Sequence, residues 1–208
     1  MYRLFFKRFF DIILSGLGML VLAPLYLIIA LYVALFIGLP VLFVQERIGK
    51  NGSPFKLYKF RSMINKKDKQ GNLLPESERL TKAGILLRNS SLDELPELWS
   101  IFIGKMSIVG PRPMPTYYDP YFLQEERKRH SVLGGLIPPD SLSGKAITSY
   151  EEQFDYECKY ADNVTFWVDI KVILATFKIL FLRVEEVYGK CERPHLNVER
   201  AYMNIDKK

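Results

Sequence analysis

The stretch Asn89-Ser90-Ser91-Leu92-Asp93-Glu94-Leu95-Pro96-Glu97-Leu98-Trp99 sets two adjacent acids between leucines. Ser91 and Glu94 have the S-x-x-E spacing of a capping box, so the plainest reading is a helix that begins near Ser91 and runs to about Phe102. Capping does not exclude chemistry. Successive helical residues diverge by about 100°, so the two carboxylates need not share a task. Cations keep them company. Arg112 lies between Pro111 and Pro113, which hold its backbone stiffly; Arg88 precedes the acids; and Lys59 and Arg61 stand on an extended segment, KFRSM. Carboxylates with Arg and Lys near a helix N-terminus describe a site for phosphate plus a divalent cation.

The elements that must position these residues follow from the pattern. VLFVQERIG and PFKLYKFRSM read as strands separated by a turn at Lys50-Asn51-Gly52-Ser53. Residues 64–76 form a polar loop, and Ser77 to Leu87 has helical spacing with Leu80, Ile85, Leu86 and Leu87 available for a core. GKMSIVGPRP is a short strand or loop, Tyr117 to His130 a helix ending in EERKRH, and 131–148 a loop rich in Gly, Pro and Ser. Glu151 to Asp162 reads as a helix with Phe154, Tyr156 and Tyr160 partly buried. Residues 164–183 are apolar but broken by four charges, which opposes a bilayer span; an interfacial helix with Trp167 and Phe166 near lipid and a buried core helix remain open.

No charged side chain occurs from Ile12 to Val44, and residues 1–70 carry a net charge of +8 out of a total of +6. A basic, apolar N-terminal third points to a membrane surface rather than nucleic acid, because the cations bracket an apolar run instead of lining a groove. A helix over 12–44 is about 50 Å long against a hydrocarbon core of roughly 30 Å. Pro24 breaks it, and both flanks are basic, which favours a hairpin with both ends on the cytoplasmic side over a kinked single span. Cys158 and Cys191 have no metal-ligand spacing, and His130 and His195 stand alone, so a zinc site or a His-based triad has little support.

FFKRFFDIILS with the Ala23-Pro24 break, VQERIGKNGSPFKLYKFRSM, LLRNSSLDELPELW and GKMSIVGPRP together resemble the bacterial sugar transferases, the monotopic phosphoglycosyl transferases, over about 2–132 and again at 149–182. The resemblance implies transfer of a phospho-sugar from a UDP-sugar to a polyprenol phosphate such as undecaprenyl phosphate. The setting is the cytoplasmic face of a bacterial inner membrane, at the first membrane step of surface glycan assembly. It implies Asp93 as nucleophile, an acyl-phosphate intermediate and release of UMP. Glu94 is then a Mg2+ ligand; Lys59, Arg88 and Arg112 hold phosphate oxygens; and the helix is re-entrant, broken at Pro24.

One region departs from the family pattern. Where many relatives carry an Arg-Pro-Gly-Ile-Thr-Gly-Trp-type loop ending in Asn-Gly-Arg, this chain reads LGGLIPPDSLSGK, with Lys145 in place of the Arg and no Trp. Lysine lacks the planar fork for bidentate phosphate contact, so the choice of sugar is open there. The expected architecture is α+β and predominantly α: a re-entrant membrane helix over 1–40, a small cytoplasmic α/β catalytic domain over 41–183 with interfacial amphipathic helices, and a tail over 184–208. The expected partners are a UDP-sugar, a polyprenol phosphate and the lipid bilayer, without nucleic acid. The competing readings are a non-catalytic membrane adaptor on the same fold and an ordinary glycosyltransferase releasing UDP.

Overall fold

A computed structural model of the chain describes residues 1–145, 147–182 and 193–201. A π-helical turn at Tyr2–Phe6 leads into α1 (Lys7–Val21), and α2 (Ala23–Phe36) departs at 63° from this first arm. The bend has the expected cause one step displaced. Leu22 takes the non-helical ψ of 2°, while Pro24 sits in the first turn of α2, where a continuous helix would need its missing N–H. No single helix among the described residues is long and apolar enough to cross a membrane, but the bent pair together is.

Strands β1 (Leu42–Ile48) and β2 (Pro54–Phe60) form the expected antiparallel hairpin, in register from Leu42 opposite Phe60 to Ile48 opposite Pro54. Its turn needs left-handed backbone at Asn51 (φ 56°) and Gly52 (φ 77°), which these two residue types tolerate best. On β2, Phe55 and Leu57 face the core, and the strand period of two sends Lys59 inward after them.

The helix expected over 77–87 is two pieces, α3 (Glu76–Arg79) and α4 (Lys82–Asn89), because Leu80 turns extended and Thr81 starts a new helix, its Oγ1 accepting from the Gly84 N–H at 3.1 Å. The phase shift buries Leu87 but leaves Leu86 61% exposed. The capping box at Ser91 is absent. Ser91 is left-handed (φ 54°) and caps nothing; Leu92–Glu94 form one 3₁₀ turn; and α5 (Glu97–Phe102) begins only after Pro96. Pro96 supplies no N–H to extend the first turn, so the expected single helix splits there.

Strand β3 (Met106–Val109) pairs in parallel with β4 (Gly134–Ile137), inside what reads as a loop from composition. Glycine makes this possible: a Cβ on Gly135 would lie 2.0 Å from the Gly110 nitrogen. The helix expected over 117–130 is instead two 3₁₀ segments, Thr116–Tyr121 and Glu126–Ser131, the first of them interrupted by Pro120. Helix α6 (Tyr150–Asp162) matches its expectation and is capped by Ser149, and α7 (Phe166–Leu182) buries Asp169 and Val172 while Trp167 is 71% exposed. One face of that helix is therefore core, as the buried reading expects, and the other, with Trp167, is exposed. A short α8 (Leu196–Glu199) packs with Leu196 in the core. Cys191 and most of the expected tail 184–208 lie outside the described residues.

The bent pair is not an isolated appendage. Gly16 and Gly18 let α1 approach α5 so closely that added Cβ atoms would meet Phe102 at 3.2 Å and Leu98 at 3.3 Å. Arg8 donates to the terminal α5 carbonyls of Ile101 and Phe102, both at 2.6 Å, and Asp11 accepts from the Ile108 N–H at 2.9 Å and Ser107 Oγ at 3.1 Å on β3. Lys7 and Tyr2 each meet Asp169 of α7 at 2.6 Å.

Candidate active site

The 3₁₀ turn Leu92–Glu94 rests on α2. Leu92 and Leu95 pack in one cluster with Tyr26, Ile29, Val33, Phe60 and Leu87, and the Tyr26 hydroxyl donates to the Leu95 carbonyl. Two apolar anchors flanking Asp93 and Glu94 thus fix the turn, and Glu94 reaches Lys59 on β2 and Arg112 between its prolines.

Glu94 Oε1 accepts from two cations, Lys59 Nζ at 2.7 Å and an Arg112 terminal nitrogen at 3.0 Å. Lys59 also reaches Glu97 Oε1 at 3.0 Å, so one ammonium bridges two carboxylates. Burial opposes the charge on Glu94, but Arg112 and Lys59 outweigh it and hold the carboxyl well below its usual range. Glu94 in turn raises the pKa of Arg112. Glu97 goes the other way, pushed up by burial with Glu94 adding to the shift. Asp93 is buried and accepts no hydrogen bond from another side chain among the described residues. Burial first, then the charge of Glu94, raises its pKa, against the fields of Lys59 and Arg88. The turn therefore offers one carboxylate neutralised by two cations beside a second that is desolvated and unpaired.

Arg88 lies at the edge. Its Nε donates to Ser62 Oγ at 3.0 Å, and its guanidinium stands 4.0 Å from Glu76. Lys145 is not brought to the acid pair; its ammonium closes on both oxygens of Glu152 at 2.9 Å. From that loop it is Asp140 whose charge Arg112 feels, and Asp140 accepts from Thr148 Oγ1 at 2.9 Å.

Arg112 is held from beneath by a buried pair that the sequence reading passes over. Glu157 Oε1 accepts the Arg112 backbone N–H at 2.8 Å, and Arg129 donates to the Arg112 carbonyl at 2.6 Å. Arg129 and Glu157 meet at 2.6 Å, with side chains 1% and 0% exposed. Arg47 donates to the Pro113 carbonyl at 3.0 Å, and Gly135 N–H to the Pro111 carbonyl at 2.9 Å, so the segment is pinned on both sides of its guanidinium. Glu97 is the other residue missed. It stands in the first turn of α5, and only the inward turn of Lys59 gives it a partner.

Because Lys59 serves two buried acids, its removal should cost more than a surface pair does. Lys59→Met is expected to lower unfolding free energy by about 3 kcal/mol, measured by denaturant titration in detergent, whereas Lys159→Ala, from an exposed pair with Asp155, should leave it unchanged.

A family model described as bacterial sugar transferase matches residues 2–183. The chain is 38% identical to the uncharacterized sugar transferase EpsL of Bacillus subtilis, over 93% of this chain and 94% of that protein. It is 35% identical to the UDP-glucose:undecaprenyl-phosphate glucose-1-phosphate transferase of Klebsiella pneumoniae, over 82% of this chain but 39% of that protein. It is 28% identical to the UDP-N-acetylgalactosamine-undecaprenyl-phosphate N-acetylgalactosaminephosphotransferase of Aeromonas hydrophila, over 85% of this chain and 44% of that protein. The chain thus spans less than half the length of the latter two. Matched by the family model over residues 2–183 and by a relative along nearly its whole length, the chain belongs to the bacterial sugar transferase family.

Proposed function

We propose that the protein transfers a sugar 1-phosphate from a UDP-sugar to undecaprenyl phosphate through a covalent intermediate on Asp93. The observation that carries this reading is the unpaired, buried Asp93 beside the Lys59–Glu94–Arg112 cluster. The names of the Klebsiella and Aeromonas relatives supply the substrate class. Asp93 Oδ attacks the sugar-bearing phosphorus, the bond from that phosphorus to the bridging oxygen breaks, and UMP leaves with that oxygen. A phosphate oxygen of the acceptor then attacks the same phosphorus, the bond to Asp93 breaks, and the carboxylate is regenerated. A desolvated carboxylate of raised pKa is the more basic nucleophile, and Lys59 and Arg112 offset charge on the phosphate oxygens.

The donor set also fits Mg2+. Asp93, Glu94 and Glu97 balance Lys59, Arg88 and Arg112 in charge, so a diphosphate brings a surplus of negative charge to the cluster. No group of three or more His, Cys, Asp or Glu side chains forms a self-sufficient cage among the described residues, but Mg2+ needs only one or two carboxylates together with substrate phosphates. Glu94, through the oxygen not used by Lys59 and Arg112, would hold the ion. When bound, it would neutralise phosphate oxygens and so lower the repulsion that Asp93 meets.

The chain lies on the cytoplasmic face of the inner membrane, with α1 and α2 as a re-entrant hairpin. In support, both ends of the bent pair join the same body, at Asp169 and β3 on one side and at β1 on the other. A straight span would separate those ends by roughly 30 Å of hydrocarbon. Exposed leucines along the pair, such as Leu20, Leu27 and Leu35, form its lipid-facing surface.

Two measurements test the chemistry. With undecaprenyl phosphate, Mg2+ and a panel of UDP-sugars, the released nucleotide should be UMP; stoichiometric UDP would point to an ordinary glycosyltransferase. The acid limb of kcat/KM should also move up as Mg2+ is lowered, since the ionised form reacts and burial, which raises the Asp93 pKa, is then less opposed by the cation.

A further inference from the structure

Residues 193–201 lie beyond the stretch 2–183 that matches the family model, yet they are bound into the described structure at both ends. Arg193 stacks on the Tyr150 ring at 3.4 Å and donates to the Thr148 carbonyl at 2.7 Å and to Gln153 Oε1 at 2.8 Å. Arg200, 3% exposed, forks onto Glu126 at 2.7 and 2.8 Å and reaches Glu151 at 3.1 Å. Between them Leu196 is fully buried and His195 Nδ1 meets the Tyr118 hydroxyl at 2.7 Å.

Each arginine grips an element that supports Arg112. From Arg193, one route runs through Gln153 to Glu157 at 3.0 Å and on to the Arg112 N–H at 2.8 Å. A second passes through Thr148 to Asp140, whose charge acts on Arg112. From Arg200, the grip on Glu126 fixes the 3₁₀ segment that supplies Arg129, the residue bonded to the Arg112 carbonyl. Two buried or stacked guanidiniums at the ends of a nine-residue segment are more than a solvated tail needs.

We infer that residues 193–201 are a strap that positions the Arg112 segment and the loop bearing Asp140 for the donor diphosphate, with Arg193 and Arg200 as positioning residues. This rests on the donor being a nucleotide diphospho-sugar, as proposed above. Arg193→Ala and Arg200→Ala should each raise the KM for the UDP-sugar roughly tenfold, with kcat within threefold and the KM for undecaprenyl phosphate unchanged. A general loss of folding would instead lower the active fraction and leave both KM values alone. Without any substrate, hydrogen exchange across 138–153 should speed up in both variants, and Lys159→Ala on the exposed side of α6 should leave it unchanged. If Arg193→Ala does not fold, Arg193→Lys, which keeps the charge and loses the fork, should show the same KM change in smaller measure. Unchanged exchange, or an unchanged donor KM in an active protein, overturns the strap. A wild-type protein that releases no UMP from any donor overturns the proposed function instead, and the exchange experiment still decides on the strap.

Discussion

Asp93→Asn is expected to abolish transfer, by on the order of 10³-fold or more, while the protein becomes no less stable at neutral pH. The two halves of this result have one cause. A carboxylate made to react with phosphorus must be held ionised in a buried place beside Glu94, and that arrangement costs folding free energy. The raised pKa fixes the sign. The folded state binds the Asp93 proton more tightly than the unfolded chain, so this residue's contribution to stability falls as pH rises from the ordinary 3.8 through its folded value. Above that window the Asn variant should melt at or above the wild-type temperature; below it, the advantage should vanish. Thermal melts in detergent across pH, run alongside the transfer assay, check both halves. A variant that is inactive because it is unfolded would not bear on Asp93 as nucleophile.

The largest stability effect belongs to Arg129. Arg129→Met leaves Glu157 fully buried without its cation and takes the guanidinium from between the Phe122 and Phe154 rings, 5.3 and 5.0 Å away. Breaking one side of such a pair costs about 3–5 kcal/mol, a fall in melting temperature on the order of 10 °C for a chain of this size. Arg129→Met with Glu157→Leu should recover much of that loss, because no uncompensated charge remains. Activity should not recover with it. The Arg112 N–H and carbonyl have then lost both side-chain partners, and the guanidinium is no longer aimed by its backbone. Recovery of both stability and activity in the double variant would show that Arg129 and Glu157 serve folding alone.

These two residues also mark what the sequence leaves unreadable. The acid pair, Lys59, Arg88 and Arg112 stand out because they fall in short, unusual contexts: adjacent acids between leucines, a guanidinium between prolines, cations on an alternating strand. Glu97, Arg129 and Glu157 sit in ordinary ones, a first helical turn, the charged run EERKRH and a polar helix. Their burial comes from packing between segments tens of residues apart, which no local pattern encodes. The hairpin, α6 and α7 follow their periodicity, and the helix break falls beside Pro24 as its chemistry requires. Most of the misread elements share a cause, since proline and glycine overrule the apolar spacing around them; the split at Leu80 and Thr81, made by a threonine cap, is the exception. Pro96 divides the acid-bearing 3₁₀ turn from α5, Pro120 interrupts the 117–130 helix, and Gly110, Gly134 and Gly135 let two backbones pair where composition suggests a loop. Lys145 shows the converse. Its place in the family pattern nominates it, yet the structure gives it to Glu152 on the outer face of α6.

The covalent step is open to direct measurement. Incubated with Mg2+ and a reactive UDP-sugar but no lipid acceptor, the wild-type protein should release UMP in a burst no larger than one per active site. Its intact mass should rise by one phospho-sugar, mapping to the peptide that carries Asp93, and the adduct should disappear when undecaprenyl phosphate is added. Asp93→Asn should give neither burst nor adduct. Full transfer activity in a protein that forms no adduct, or an adduct on another residue, would contradict the account.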